Sequence, residues 1–226
     1  MLNASLKFED FITKNDIEQP RTPYEFIHWF KDKWEIVSKF EEPRKQGLLH
    51  KNILNKDKIV KPVEEELFAL YILLQHKENE WFDARLTPII GNQPFDVKIE
   101  SNANIIPEFI EITGSDWNEL TYYRMKHLVE HGVDNSVGDD AQEYSVSMLN
   151  KINQLNEAIK NKVNKGGYPN NTALLVSFED REFMHNWKES DSQRINQMPI
   201  IQDPIWKKHF VKIYIIGFSG RTFLEM

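Results

Sequence analysis

The 226-residue chain contains no cysteine, and this absence removes several classes of function at once. Disulfides, structural zinc sites built on thiolates and catalytic thiols are all excluded. Long apolar runs are also missing, because the longest one, residues 67–74, is far too short to span a bilayer. The first residues show no cationic segment followed by an apolar one, so we expect no signal peptide, no membrane partner and a cytoplasmic location.

The chain also has no excess of positive charge, since 28 Lys and Arg face 35 Asp and Glu, for a formal net charge of −7. This balance argues against a protein that coats nucleic acid without specificity. The charge is unevenly spread, because residues 44–61 contain six cations and one acid, whereas residues 100–143 contain ten acids and two cations. An acidic region beside a basic strip suits a metal-dependent enzyme that acts on a polyanion. A solvated linker is the alternative interpretation of the basic strip.

Apolar residues are abundant enough for one sizeable core, at 40% of the chain. Their helical spacing after Pro23 predicts a helix that ends at residues 41–43, and the polar stretch that follows predicts a linker. We therefore divide the chain into a helical N-terminal extension with a basic linker, residues 1–61, and an α/β domain, residues 62–226.

Within the second part, helices and strands follow an order that predicts the architecture. A helix near Pro62 precedes three strands, and a long helix that stops at Gly166 precedes two more, with a short helix expected at residues 183–187. A hairpin turn at Gly91 predicts antiparallel pairing in the first half, and helix–strand alternation predicts parallel pairing in the second. The expected fold is an α/β three-layer sandwich around a mixed central sheet. Its strands are predicted at residues 84–90, 95–100, 108–113, 172–178 and 210–218.

Two of these strands each carry a carboxylate among apolar neighbours. Asp96 and Glu111, separated by 15 positions, are each flanked on both sides by large apolar residues. A carboxylate in such a strand is costly unless something pairs with it, and a divalent cation is a common partner. The spacing allows one strand, a turn and the next strand, so the two acids can together hold Mg²⁺ against a phosphodiester. The alternative is that both acids face solvent on a half-exposed sheet.

The order of elements, with Asp on the second strand and Glu on the third, resembles the PD-(D/E)xK nuclease superfamily, which has the restriction-endonuclease-like fold. The resemblance covers roughly residues 62–218. The Pro-Phe-Asp sequence that ends at Asp96 is similar to the Pro-Asp half of the motif with one residue inserted. The Glu-Ile-Thr sequence from Glu111 to Thr113 is similar to the Glu-x-Lys half, with threonine in place of lysine.

The resemblance implies a metal site for Mg²⁺, or Mn²⁺ in its place, with Asp96 and Glu111 as ligands. In this family a glutamate on the preceding helix often completes the site. Among the three consecutive glutamates from Glu64, Glu66 is the nearest to the apolar face of its helix, so it is the candidate third ligand, acting through water. A negatively charged first turn that complements the helix dipole is the alternative for this triplet.

The family also uses a lysine that assists the attacking water, and Thr113 cannot supply that charge. Lys98 lies two residues beyond Asp96, which on a regular strand means the same face. Lys162 lies close to the apolar stripe of the long helix, from which its ammonium group can reach over the sheet edge. We prefer Lys98 slightly, because its face follows from the two-residue repeat. For either lysine the alternative is a surface cation whose stem covers apolar residues.

These expectations describe a divalent-metal-dependent nuclease that hydrolyses phosphodiester bonds, with DNA favoured over RNA because the family mostly cuts DNA. The missing motif lysine and the acidic composition favour an alternative, a nuclease fold that has lost catalysis and acts in binding or regulation. A third interpretation is an interaction or immunity protein without nuclease ancestry. A monomer and a homodimer are both compatible with the sequence. The predicted catalytic residues are Asp96, Glu111, Lys98 and Lys162.

Overall fold

The computed structural model describes residues 12–44, 62–115, 144–180 and 189–226. In these segments the chain forms one six-stranded mixed sheet with helices packed on both faces, which confirms the predicted α/β architecture. The strands lie side by side in chain order. They are β1 Arg85–Pro88, β2 Val97–Glu100, β3 Phe109–Gly114, β4 Thr172–Phe178, β5 Lys212–Gly217 and β6 Phe223–Glu225.

The helices of the described segments differ widely in length. The helix that the sequence predicts from Pro62 has two parts, a π-helical segment, Pro62–Leu67, and the α-helix Phe68–Lys77 that follows it directly. A 3-10 helix, Pro204–Lys208, precedes β5. The α-helices are α1 Lys14–Ile17, α2 Pro23–Arg44, α3 Phe68–Lys77, α4 Tyr144–Lys165, α5 Glu189–Asn196 and α6 Pro199–Gln202.

Some boundaries differ from the sequence prediction. Helix α2 ends at Arg44, one residue beyond the predicted end at residues 41–43, and helix ends are defined only to within one or two residues. Helix α1 and strand β6 were not predicted, since elements of three or four residues are too short to show a period. The short helix predicted at residues 183–187 and the basic strip from residue 45 onward lie outside the described residues.

Strand pairing is antiparallel on both sides of a parallel centre. β1 pairs with β2 and β2 with β3 in antiparallel fashion, β3, β4 and β5 are parallel, and β6 pairs antiparallel with β5. Every residue of β4 is buried, as expected for a central parallel strand that is covered on both faces. The predicted change from antiparallel to parallel pairing is therefore confirmed.

Alternate residues of the central strands enter two separate cores. Ala173 and Leu175 of β4 belong to the core under α2 and α3, whereas Leu174 and Val176 belong to the core under α4. Side chains alternate across a strand, so a single strand can serve both layers. A residue of β3 can therefore face either the α2–α3 layer or the α4 layer, and this choice decides where Glu111 lies.

The described part of the N-terminal segment shares the core of the sheet. Ile17, Phe26 and Phe30 are buried in the same cluster as Leu86 of β1. Arg21 and Leu86 form an antiparallel bridge, with N···O distances of 2.9 and 2.7 Å. The predicted division at residue 61 stays a prediction. Across the described residues, no helix combines the length and apolarity that a membrane span requires.

Candidate functional site

The start of β2 is irregular at Asp96. The Asp96 backbone N donates to the Ile110 carbonyl oxygen at 2.8 Å, although the strand register pairs Ile110 with Val97. Asp96 and Val97 of one strand thus both oppose Ile110 of the other, which is the pattern of a β-bulge. The Asp96 carboxylate turns toward β3, where Oδ2 accepts a hydrogen bond from the Ile112 N at 2.6 Å. The bulge therefore ends the β2–β3 ladder with a carboxylate directed at the middle of β3.

Glu111 lies in that middle part of β3 and faces the α4 layer. Its neighbours Ile110 and Ile112 are buried in the core under α2 and α3, and the Glu111 residue is itself only 3% exposed. Lys162 Nζ, from the last turn of α4, lies 2.5 Å from Glu111 Oε1, and Lys165 Nζ lies 3.7 Å from the same oxygen. Cations in the last turn also complement the helix dipole. Glu111 is thus a buried carboxylate paired with a lysine 51 positions away in sequence.

Asp96 experiences more negative charge than its hydrogen bond offsets. Burial, and next the charges of Glu66 and Glu111, raise the pKa of Asp96 to about 7, against the opposing effects of the Ile112 amide and Lys162. The charges of Glu66 and Glu111 thus act on Asp96, and we call these three residues the acid cluster. Asp96 can accordingly gain or lose a proton near neutral pH, which is common for carboxylates at functional sites.

Tyr168 adjoins the acid cluster and was not predicted. Its hydroxyl oxygen is buried and has no hydrogen-bond partner among the described residues. Burial, and then the negative charges of Glu111 and Asp96, raise the pKa of Tyr168 above its ordinary value, so the phenol keeps its proton. The signal in the sequence is its place just after Gly166 and Gly167, since the chain reverses there at the end of the predicted helix.

Of the two candidate lysines, Lys162 joins the acid cluster and Lys98 does not. Lys98 is exposed, and its Nζ lies 2.8 Å from Glu100 Oε1. The prediction that Lys98 shares a face with Asp96 assumed an unbroken two-residue repeat, and the bulge interrupts that repeat. The described contacts therefore favour Lys162 over Lys98, and the charges of Glu66 and Glu111 both act on Asp96. The predicted metal site of Asp96, Glu111 and Glu66 stays a prediction.

In the described segments no group of three or more His, Asp or Glu side chains is placed so that it could hold a metal ion. A metal held by Asp96 and Glu111 would therefore need water in its other coordination positions. Mg²⁺ does not need such a set, because it usually binds through one or two carboxylates and keeps several waters. Burial and then the negative charges of Glu66 and Glu111 raise the pKa of Asp96, and a divalent cation would neutralise part of that charge.

Comparisons with known proteins find no relative for this chain. No family model, no curated protein and no solved structure matches it. The chemistry of the acid cluster and its lysines is therefore what bears on function.

Proposed function

We propose that this protein is a divalent-metal-dependent nuclease with the restriction-endonuclease-like fold, which hydrolyses phosphodiester bonds of nucleic acid, DNA in preference to RNA. The observation that carries the proposal is the Lys162–Glu111 ion pair beside Asp96. The resemblance requires a cation near the second acid, and Thr113 cannot provide it. Lys162 supplies that cation from another element of the fold.

Each residue of the acid cluster then has a role. Asp96 and Glu111 would hold Mg²⁺ or Mn²⁺, and Glu66 would contribute through water. A metal held there would lower the pKa of a water molecule and neutralise charge on the phosphate. Asp96 must be ionised to act as a ligand, and its pKa of about 7 makes binding weaken as the pH falls below neutrality. Lys162 orients the attacking water and stabilises negative charge in the transition state.

A non-catalytic binding or regulatory module is the second candidate, and one contact favours it. The Lys162 ammonium group lies 2.5 Å from Glu111, so it neutralises one of the two proposed metal ligands. If the lysine stayed there when metal and nucleic acid were present, Glu111 would be a structural partner of α4. The two candidates differ in whether Mg²⁺ competes with Lys162 for Glu111.

Cleavage of plasmid and oligonucleotide substrates with Mg²⁺ or Mn²⁺ tests the proposal. We expect the wild type to cleave, and Asp96→Asn and Lys162→Gln each to lose about a hundredfold or more in rate. Lys98→Gln is the matched control, because it makes the same chemical change at an ion-paired lysine outside the cluster. Full activity in Asp96→Asn, or an equal loss in Lys98→Gln, contradicts the mechanism. A folded wild type that cleaves neither DNA nor RNA favours the second candidate.

A further inference from the structure

Two lysines converge on one carboxylate oxygen, and they differ in exposure. The Lys162 side chain is 22% exposed and lies 2.5 Å from Glu111 Oε1, whereas the Lys165 side chain is 59% exposed and lies 3.7 Å from that oxygen. Residues three apart share one face of a helix, so both lysines point to the same end of the sheet. Lys162 suffices to pair with Glu111, and Lys165 is left with most of its surface open to solvent.

Lys165 also lies over an aromatic ring. Its Nζ lies 5.8 Å from the centroid of the Tyr168 ring, within the range of a cation–π interaction. Gly166 and Gly167, with φ of 59° and 79°, reverse the chain after α4 and bring Tyr168 back beneath the lysine. The Tyr168 ring packs on Phe210 with centroids 4.7 Å apart, so it is anchored in the core of the α4 layer.

We propose that Lys165, held over the Tyr168 ring, binds a non-bridging phosphate oxygen of the nucleic-acid backbone next to the acid cluster, and that Tyr168 is its positioning residue. This inference rests on the proposed function, whose substrate is a polyanion. Three carboxylates repel the phosphates of a nucleic-acid backbone that approaches them. A cation between the backbone and the carboxylates would offset this repulsion. Lys165 is the exposed cation of the pair at that place, and an ammonium group on a flexible stem acts as a point charge for phosphate.

A purely structural role makes a different prediction. If Lys165 only complements Glu111 and the helix dipole, its loss lowers stability by a small amount and leaves nucleic-acid binding unchanged. A phosphate contact instead releases counterions, so its loss lowers affinity at low salt and also reduces the salt dependence. The slope of affinity against salt concentration therefore separates the two roles.

The test uses the full chain and a short fluorescent DNA duplex, with its single strand as a second probe, in Ca²⁺ so that cleavage does not interfere. Binding is followed by anisotropy over a range of NaCl concentrations for the wild type, Lys165→Gln, Lys165→Arg and Tyr168→Phe. Lys160→Gln is the matched control, since Lys160 lies on the same helix, is 52% exposed and pairs with Glu157 at 3.4 Å.

We expect Lys165→Gln to lose about tenfold in affinity at low salt, and the magnitude of its salt slope to be smaller by about 0.9. Lys165→Arg keeps the charge and Tyr168→Phe keeps the ring, so both should bind like the wild type. Tyr168→Leu, measured in the same way, removes the ring and should lose affinity in the direction of Lys165→Gln. Wild-type binding in Tyr168→Leu overturns the role of the ring. If Lys165→Gln matches Lys160→Gln in affinity and slope while the wild type still binds and cleaves, the inference fails and the proposed function stands. If the wild type binds neither probe, both fail.

Discussion

Two groups of charged residues packed against the same sheet have opposite balances. Lys77 Nζ, at the end of α3, lies 2.5 Å from Glu225 of β6 and 2.7 Å from Glu80, and Lys212 Nζ of β5 lies 2.5 Å from the other oxygen of Glu225. We call these four residues the Lys77 network, in which two cations face two acids. In the acid cluster, Glu111 of β3 instead pairs with Lys162, with Lys165 at the margin, and Asp96 is subject to the charges of Glu66, Glu111 and Lys162.

The pKa values of Lys77 and Asp96 reflect this difference in charge balance. Burial alone would lower the pKa of Lys77, but its hydrogen bonds to Glu225 and Glu80 raise it overall, so the network keeps its charges. Burial raises the pKa of Asp96 to about 7, and its two acidic neighbours act in the same direction. A balanced network is complete within the folded chain. A cluster with excess acid is stabilised by a cation from outside, which is the physical basis of the proposed metal site.

Two aspartates, Asp180 and Asp96, show the same contrast. Asp180, just after β4, accepts hydrogen bonds from Ser219 N, Ser219 Oγ and Thr222 Oγ1 at 2.7, 2.7 and 2.8 Å. Asp96 accepts a hydrogen bond from Ile112 N and faces two other carboxylates. Asp180 thus holds the β5–β6 turn in place, whereas the surroundings of Asp96 favour a ligand.

Removing the central lysine should affect the two groups differently. Lys77→Met leaves Glu80 without its cation and Glu225 with Lys212 alone, and should lower the free energy of unfolding by about 1–3 kcal/mol. Lys162→Met should also destabilise the fold, but millimolar Mg²⁺ should restore part of the loss, because the acid cluster can take up the ion. Urea unfolding with and without Mg²⁺ measures both variants. An equal response to Mg²⁺ in the two variants would remove the distinction.

The pH dependence of stability should follow Asp96. In the folded protein its carboxyl keeps a proton up to about pH 7, whereas in the unfolded chain it ionises near its ordinary value of 3.8. Between these pH values the folded state binds more protons, so the free energy of unfolding falls as the pH rises, by up to on the order of 4 kcal/mol. Above about pH 7 this contribution is constant.

Asp96→Asn should abolish the decrease in the free energy of unfolding with rising pH. Asp180→Asn should retain this decrease, because Asp96 is still present. Urea unfolding at about pH 5 and about pH 8 provides the comparison. A wild type and an Asp96→Asn variant with the same pH dependence would show that Asp96 is ionised in the folded protein throughout this range.

A further comparison tests the packing around Asp180. A Cβ atom on Gly217 would lie 1.9 Å from Asp180 Oδ2, so Gly217→Ala should cost about 1–3 kcal/mol of stability. Gly91→Ala is the control, because its Cβ would meet only the flexible end of Gln93, at 2.7 Å from Oε1. Thermal unfolding of both variants measures the difference. If both variants unfold at the wild-type temperature, Asp180 and the β5–β6 turn are less tightly held than their contacts indicate.

The sequence by itself determined the central elements and the pair of acids. The continuous apolar run of β4 and the periodic apolar stripe of α4 both reflect burial. The positions of these two elements can therefore be predicted from the local sequence pattern. Asp96 and Glu111 were recognisable because a carboxylate between large apolar residues is unusual in a strand. Very short elements such as β6 show no such period.

Tertiary structure alone decided which cation meets those acids. The choice of Lys162 over Lys98 depends on a bulge at Asp96 and on how α4 packs across the sheet, and neither feature has a local sequence period. Tyr168 likewise reaches the site through a chain reversal that its own residue type does not encode. Periodicity reports the face on which a residue lies. The distance between side chains 51 positions apart, such as Lys162 and Glu111, is set by packing of the complete layers.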